Sequence, residues 1–399
     1  HPIDPIALSA AAMPDLYVGL MSGTSLDGVD AVLVNIATGN TGNTGNNYDM
    51  SCMPTIVHAV ALPYPAELKT AVLAVCRDQA APLVVLGRID VELARWYSRA
   101  VQQLLSEAGV LPALVRAIGS HGQTVHHEPG GDAPFTMQLG DPNLLAADTG
   151  ITVVADFRRR DMALGGQGAP LAPGFHDAVF RHPTRTRVVL NCGGIANISV
   201  LVPGQDCTGY DTGPANILMD AWVQACTGLP FDQKGQWAMQ GTVNAPLLAQ
   251  MRADAYFALP APKSTGREHF NLAWIAAQLA ATDAGPTGNV TALADADVQR
   301  TLLELSASTV ADAIARHAQA GDLLVAGGGA YNPALLVRLR ALCPGWAVDT
   351  TAAMGIPPEH VEATAFAVFA QRTMHGLTGN LPSVTGASRR CVLGGIYPP

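Results

Sequence analysis

The sequence predicts a two-domain α/β protein in which each domain carries a mixed sheet opened by a β-hairpin. Three observations predict it. The chain of 399 residues is longer than a single core usually supports. Its composition, 49% hydrophobic and 14% charged, suits a large and well-buried α/β chain rather than a disordered one. The third is a repeated pattern, two β-rich runs around a polar or glycine knot. It occurs first in "YVGLMSGTSLDGVDAVLVNI" (Tyr17–Ile36) and again in "RVVLNCGGIANISVLV" (Arg187–Val202). The repeat divides the chain into residues 14–186 with 362–399, and residues 187–361.

The elements follow in order. After the first hairpin, the low-complexity run Thr38–Met50 reads as a loose loop, and Thr55–Leu62 as a strand. Leu86–Gly109 has apolar residues at helical spacing and a glycine stop. "VRAIGSHGQTVHHEP" reads as a buried strand ending in a Gly/His/Gln/Thr loop, and "TMQLGDPNLLAADTGITVVADF" as strand, short helix and strand. In the second half, "GYDTGPANILMDAWVQACTG" is a turn with a helix starting near Pro214 and stopping at Gly228. Helices continue to His317. "DLLVAGGGAYNPALLVRLRALCP" is then a buried strand, a triple-glycine turn, and a helix opened by Asn332-Pro333. A last helix, "EHVEATAFAVFAQRTMHG", precedes "RRCVLGGIYP".

Charge and composition exclude several partners. A net charge of −9 with no basic stripe argues against nucleic acid, since the densest basic run, Arg158-Arg159-Arg160, is flanked by Asp156 and Asp161. No apolar stretch reaches the roughly 18 residues that span a bilayer, so a soluble protein with no membrane partner is expected. The opening "HPIDPIALSAAAMPDL" lacks the basic n-region of a signal peptide, and Met13 is a candidate start. Seven cysteines are odd in number, scattered and never arranged as C-x-x-C, which fits reduced thiols in the cytoplasm.

Several chemistries are excluded by motif. Lys234 and Lys263 lack the glycine pattern of a P-loop, Ser22 and Ser25 lie in no G-x-S-x-G elbow, and "GGQGAP" lacks the third glycine of a dinucleotide fingerprint. What remains is a hairpin tip crowded with Ser22, Gly23, Thr24, Ser25, Asp27, Gly28 and Asp30, together with the second tip and the triple glycine. Backbone N–H groups in such turns bind phosphate oxygens, and glycine permits close approach, so two tips facing across a cleft would clamp a nucleotide. His121, His126 and His127 match no zinc signature and read as hydrogen-bonding groups near a substrate. Gln123 and Thr124 beside them suit sugar hydroxyls. Asp211 has two local readings, a helix N-cap or a carboxylate aimed into the cleft. Glu359 fits a helix-dipole partner. Glu362, among apolar neighbours, is either a functional carboxylate or part of a solvated helix face.

Together "GLMSGTSLDGVD", "IGSHGQTVHHEP", "VVADFRRRDMALGGQGAPL", "NCGGIANIS", "GYDTGPANILMDAW", "PKSTGREHFN", "TLLELSA" and "VAGGGAYNPAL", in this order from Tyr17 to Tyr397, resemble the 1,6-anhydro-N-acetylmuramic acid kinase family. That family belongs to the sugar kinase, heat-shock chaperone and actin superfamily. The resemblance implies a two-domain actin-like ATPase (ribonuclease H-like) fold with an interdomain cleft, a cytoplasmic homodimer, and ATP with Mg²⁺ as cofactors. The implied reaction belongs to peptidoglycan recycling: water opens the 1,6-anhydro bridge and the freed 6-oxygen takes the γ-phosphoryl group.

Residue by residue, the resemblance implies Asp211 as the base for water and Glu362 as a second carboxylate orienting sugar or water. It implies phosphate contacts from Gly23, Thr24, Ser25, Leu26, Asp27, Gly28, Val29 and Asp30, with Mg²⁺ near Asp27 or Asp30. Gly193 and Gly194 would form the second phosphate loop, and Gly327, Gly328, Gly329 and Asn332 the adenosine side. His121, Gln123 and Thr124 would face the sugar. Arg160 would meet its lactyl carboxylate, or else pair with Asp161 on the surface. Ala215 departs from the glycine usual after the proline of the Asp-Thr-Gly-Pro turn, a change benign at a helix start. The alternatives are a kinase for another sugar and an ATP-driven binding module.

Overall fold

A computed structural model describes residues 14–23, 26–36, 53–78, 80–283 and 293–399. The opening stretch with Met13, the Thr38–Met50 loop and the turn residues Thr24 and Ser25 lie outside the described residues. The chain divides into two compact units, the first formed by His1–Arg160, Ala363–Thr378 and Val392–Pro399, the second by Asp161–Glu362 and Gly379–Cys391.

The first stretch of unit 1 runs β1 (Leu16–Met21), β2 (Gly28–Asn35), β3 (Thr55–Pro63), α1 (Ala66–Arg77), α2 (Leu83–Ala108), β4 (Val115–Ser120), β5 (Gln123–Glu128), β6 (Phe135–Leu139), α3 (Pro142–Thr149) and β7 (Val153–Ala155). Helix α2 forms because Ile89, Leu93, Tyr97, Ala100, Val101 and Leu104 repeat at helical spacing and bury one face. It stops where Gly109 takes a left-handed φ of 66°. The stretch read from sequence as a loop after β4 is instead strand β5, paired antiparallel with β6, because Thr124, His126 and His127 find cross-strand partners in Gln138, Met137 and Thr136.

The chain continues through α4 (Arg159–Ala163), α5 (Ala172–Phe180), β8 (Arg187–Cys192), β9 (Ile195–Leu201), β10 (Thr208–Pro214), α6 (Asn216–Thr227), α7 (Ala245–Arg252), α8 (Ala255–Ala258), α9 (Leu272–Asp283), α10 (Asp295–Ala315), β11 (Gly321–Ala326), α11 (Pro333–Leu342) and β12 (Trp346–Thr350). The chain then closes with α12 (Val361–Met374), α13 (Pro382–Thr385) and β13 (Gly395–Tyr397).

The two sheets repeat one topology. In unit 1 the order is β13-β7-β4-β1-β2-β3, with β1, β2 and β3 antiparallel and β4 and β7 parallel to β1. In unit 2 it is β10-β9-β8-β11-β12, with β8, β9 and β10 antiparallel and β11 and β12 parallel to β8. A three-stranded meander extended by two parallel strands on the side of its first strand is the ribonuclease H-like plan, present here twice.

The expected boundary at 186/187 differs from the observed grouping, in which 161–186 belongs to unit 2. Helix α5 packs on β8 and β9, and buried Asp161 accepts hydrogen bonds from Gly168 N–H (2.9 Å), Asn380 Nδ2 (2.8 Å) and Thr385 Oγ1 (2.7 Å), all unit 2 groups. Those bonds also draw 379–391 into unit 2.

In unit 1, Gly19 of β1 and Gly119 of β4 are register partners and leave a bare patch on the sheet. A Cβ would come within 1.8 Å of the Ala363 carbonyl oxygen at Gly19 and within 1.9 Å of that of Phe366 at Gly119. The backbone of α12 therefore lies directly on the sheet, which sets the Phe366 and Phe369 rings against Phe157.

Candidate active site

The β1–β2 turn of unit 1 stands on a chain of buried hydroxyls. Ser22 Oγ donates to Gln123 Oε1 and accepts from Tyr64 Oη (2.5 Å), whose oxygen lies 3.3 Å from Tyr97 Oη. Leu26 holds a left-handed φ of 54° while its side chain enters the core, a conformation a branched side chain adopts only when its surroundings force it. Leu26 and Val29 are buried, so they offer a ligand only their backbone. At Gly28 a Cβ would lie 2.3 Å from the Leu62 carbonyl, so this glycine serves strand packing. Asp27 and Asp30 are exposed; Asp27 pairs with Lys69 at 2.9 Å.

A polar pocket of about 290 Å³ opens where β4 and β7 end, lined among others by Asp90, Ser120, His121, Gln138, Asp156 and Arg159. Two features mark it for a ligand. Ser120 Oγ is buried without a hydrogen-bond partner among the described residues, and Asp156 holds a left-handed φ of 61°. His121 lines this pocket with both ring nitrogens engaged: Nδ1 lies 2.7 Å from the Gly122 carbonyl, and Nε2 accepts from Arg158 Nε (3.1 Å) and Nη2 (2.9 Å). Burial and the Arg158 charge push its pKa down to about 3, so the ring is neutral and donates through Nδ1. In the structure its nitrogens engage Arg158 and the turn. Gln123 is likewise buried and accepts from Ser22, whereas Thr124 is half-buried and its hydroxyl accepts from Gln138 Nε2 at 3.2 Å. Arg160 is exposed, and the alternative of an ion pair with Asp161 does not form, because the Asp161 carboxylate is fully buried on its own partners.

Unit 2 builds its turn differently. The Gly193 and Gly194 carbonyls accept the N–H groups of Ala215 (2.9 Å), Asn216 (3.0 Å) and Ile217 (3.1 Å), so the turn itself caps helix α6. The helix begins at Asn216, and Pro214 ends β10 rather than opening the helix as expected. This removes the N-cap reading of Asp211, which lies within β10 beside a register shift between Asp211 and Gly213. Such bulges re-aim side chains. The Asp211 backbone is pinned by its N–H to the Lys263 carbonyl (3.1 Å) and by Tyr256 Oη donating to its own carbonyl (2.7 Å). Its carboxylate accepts a single hydrogen bond among the described residues, from Thr265 N–H at 3.0 Å. Burial raises the Asp211 pKa above its ordinary value, with that one N–H acting the other way. A half-buried carboxylate, raised and singly bonded, is suited to take a proton. Glu362 is exposed in the first turn of α12, and the Glu359 carboxylate accepts the Tyr331 hydroxyl.

The three consecutive glycines have separate reasons. Gly327 has a φ of 75°, and a Cβ there would meet Asn191 Oδ1 at 2.6 Å; at Gly329 it would meet Cys192 Sγ at 2.3 Å. Only Gly328 has room, its nearest neighbour being Asn216 Nδ2 at 3.6 Å, and it lines a second pocket of about 380 Å³ with Asn216, Met219, Asp220, Phe231, Lys234 and Tyr331. Asn332, also at this pocket, caps α11 by accepting Leu335 N–H at 3.2 Å.

The family model for anhydro-N-acetylmuramic acid kinase matches residues 15–399. The chain belongs to this family. An anhydro-N-acetylmuramic acid kinase from Vibrio cholerae is 51% identical over 387 residues, covering 96% of this chain and 99% of that protein. Among solved structures, an activator of the 2-hydroxyisocaproyl-CoA dehydratase from Clostridium difficile with bound ADPNP aligns at a TM-score of 0.42 and 11% identity, over 89% of this chain and 94% of that one. A ROK family glucokinase from Streptomyces griseus in complex with glucose and AMPPNP aligns at 0.37 and 16%, over 90% and 99%.

Within this anhydro-N-acetylmuramic acid kinase family member, the structure brings Gly328 and Asn332 to one pocket and His121 to another. Sequence reasoning missed Asp220, Met219 and Tyr331, although Asn216, Met219 and Asp220 stand at i, i+3 and i+4 on α6, a spacing that shares one helix face. It also missed Asp156 and Ser120, whose signals are a backbone angle and an absent partner, neither of which is written in a sequence. No helix among the described residues is long and apolar enough to cross a membrane.

Proposed function

We propose that this chain is an ATP-dependent kinase that opens 1,6-anhydro-N-acetylmuramic acid with water and phosphorylates its 6-oxygen, giving N-acetylmuramic acid 6-phosphate and ADP in the cytoplasmic recycling of peptidoglycan. Membership of the family supports the substrate. The observation that carries the mechanism is the Asp211 carboxylate, half-buried, raised in pKa and, among the described residues, bonded only to Thr265 N–H. Asp211 takes a proton from the water that attacks the anomeric carbon; the bond from that carbon to O6 breaks, and O6 attacks the γ-phosphorus as ADP leaves. Glu362 orients the sugar or the water. His121, Gln123, Thr124 and Arg160 serve the sugar side, with His121 acting through Arg158.

Phosphoryl transfer needs positioning and charge neutralisation rather than covalent help. Backbone groups of 23–30 and of Gly193-Gly194 serve the phosphates, and the unit 2 pocket at Gly328 and Asn332 receives the nucleoside. Magnesium neutralises phosphate charge when bound. Among the described residues no group of three metal-ligating side chains occurs, which fits an ion held mainly by phosphates with one or two carboxylates. Asp30 and Asp27 are the carboxylates for it, since the exposed Lys69 pair is weak enough to yield to a dication. The working form is a homodimer. The experiment is to supply the anhydro-sugar, ATP and Mg²⁺ and analyse the products by mass and NMR. ADP with a phosphorylated, ring-opened sugar is expected; a phosphorylated sugar with its anhydro bridge intact refutes the coupled reaction.

A further inference from the structure

The unit 2 pocket holds a carboxylate that the reaction does not use. Asp220 projects from α6 between the apolar lining of Met219, Phe231 and Tyr331. Two acids border this pocket, and only one is spoken for. Asp232 accepts the backbone N–H groups of Trp237 and Ala238, both at 2.9 Å, and so holds its own loop together. Asp220 accepts no hydrogen bond among the described residues, and Lys234, on the same pocket, makes no ion pair there. Burial, with the neighbouring Asp232 charge adding to it, pushes the Asp220 pKa up to about 6. A partly buried, unpaired carboxylate is costly to keep, and the cost is recovered only when donors arrive with a ligand.

We propose that Asp220 is the ribose-recognising residue of the nucleotide pocket, accepting the vicinal 2′- and 3′-hydroxyls of the nucleotide while Met219, Phe231 and Tyr331 cover the base. The inference rests on the reading of this pocket as the nucleoside site. The chemistry favours the ribose: a carboxylate has only acceptors to offer, and a vicinal diol presents two adjacent O–H donors that both of its oxygens can take. The purine ring needs a flat apolar wall, which the three large side chains supply. Asp220 is then a specificity-determining residue, distinct from the phosphate turns and from Asp211.

The test is calorimetric binding of ADP, 2′-deoxy-ADP, 3′-deoxy-ADP and purine riboside diphosphate, which lacks the 6-amino group, to the full chain. The wild type is expected to bind each deoxy nucleotide about 10- to 100-fold more weakly than ADP, the range of a charge-assisted hydrogen bond. Asp220→Ala should weaken ADP by a similar factor and bind ADP and the deoxy nucleotides alike. The wild-type comparison needs no variant, so a folding defect in Asp220→Ala cannot shelter the proposal. Equal binding of ADP and both deoxy nucleotides by the wild type, or full discrimination surviving in Asp220→Ala, overturns it. So does a loss confined to discrimination against purine riboside diphosphate, which would make the adenine amino group the partner. Gly328→Leu fills the pocket from a position with room for a side chain. If that variant binds ADP as the wild type does, the nucleotide reading of the pocket fails as a whole. If it loses ADP binding while Asp220→Ala still discriminates, the ribose assignment alone is wrong.

Discussion

The turn of unit 1 and the turn of unit 2 close the same meander, yet they are built from opposite materials. The first rests on side chains: Ser22, Gln123, Tyr64 and Tyr97 form a buried relay, and Leu26 is forced into a left-handed backbone above it. The second rests on main chain: the Gly193 and Gly194 carbonyls cap α6 and leave no side chain in the way. One topology thus carries turns of two different constructions. In unit 2 the turn leads into β9, whose Asn197 is the register partner of Asp211 on β10.

The largest expected effect breaks the unit 2 side alone. Asp211→Asn should lower kcat by about 10²- to 10⁴-fold, the usual worth of a general base, while ADP binding stays within about twofold. Retained turnover in steady-state assays would remove Asp211 from the proton transfer. The acid limb of kcat/KM should report the same group. Activity rises as the carboxylate ionises, and because burial raises its pKa the limb lies above the ordinary 3.8.

Next come the glycines, which separate packing from ligand contact. Gly329→Ala forces a methyl against Cys192 Sγ and should destabilise unit 2 by about 1–3 kcal/mol in denaturant unfolding. Gly328→Ala, with open space, should leave stability unchanged within about 0.5 kcal/mol. On the unit 1 side, Ser22→Ala leaves the Gln123 carbonyl without its donor in a buried site, at a cost of about 1–3 kcal/mol. If Ser22→Ala is neutral and Gly329→Ala is too, the contrast between the two turns has no energetic content.

A dependence on pH is shared by both units. His121 in unit 1 and His176 in unit 2 are each buried with a pKa pushed down to about 3. Both are neutral when folded and take a proton near 6.5 when unfolded, so the unfolded state binds more protons between those values. Stability should fall as pH drops from about 6.5 toward 3, by at most about 1.4 kcal/mol per unit for each histidine. Thermal melts that are flat from pH 7 to 5 would contradict this.

Much of this was legible because it depends on pattern. The duplicated hairpins, the helix stop at Gly109 and the Asn332 cap follow from local rules of spacing and backbone freedom. The start of α6 differs from the one expected near Pro214 because its capping groups come from Gly193 and Gly194, distant in sequence. Strand β5 reads as a loop in the sequence because its pairing with β6 is also nonlocal. The surroundings of His121 and Asp220 are hidden for a related reason: Arg158 donates to the one's ring nitrogen, and the other accepts no hydrogen bond among the described residues. Partners, and their absence, are properties of the fold.

The central claim is that water opens the sugar ring in the same turnover that phosphorylates it. Running the wild-type reaction in ¹⁸O-labelled water and locating the label by mass spectrometry tests this directly. One ¹⁸O is expected at the anomeric carbon of the sugar phosphate and none in its phosphoryl group. Label in the phosphoryl group, or a phosphorylated product carrying no label at the anomeric carbon, would contradict it.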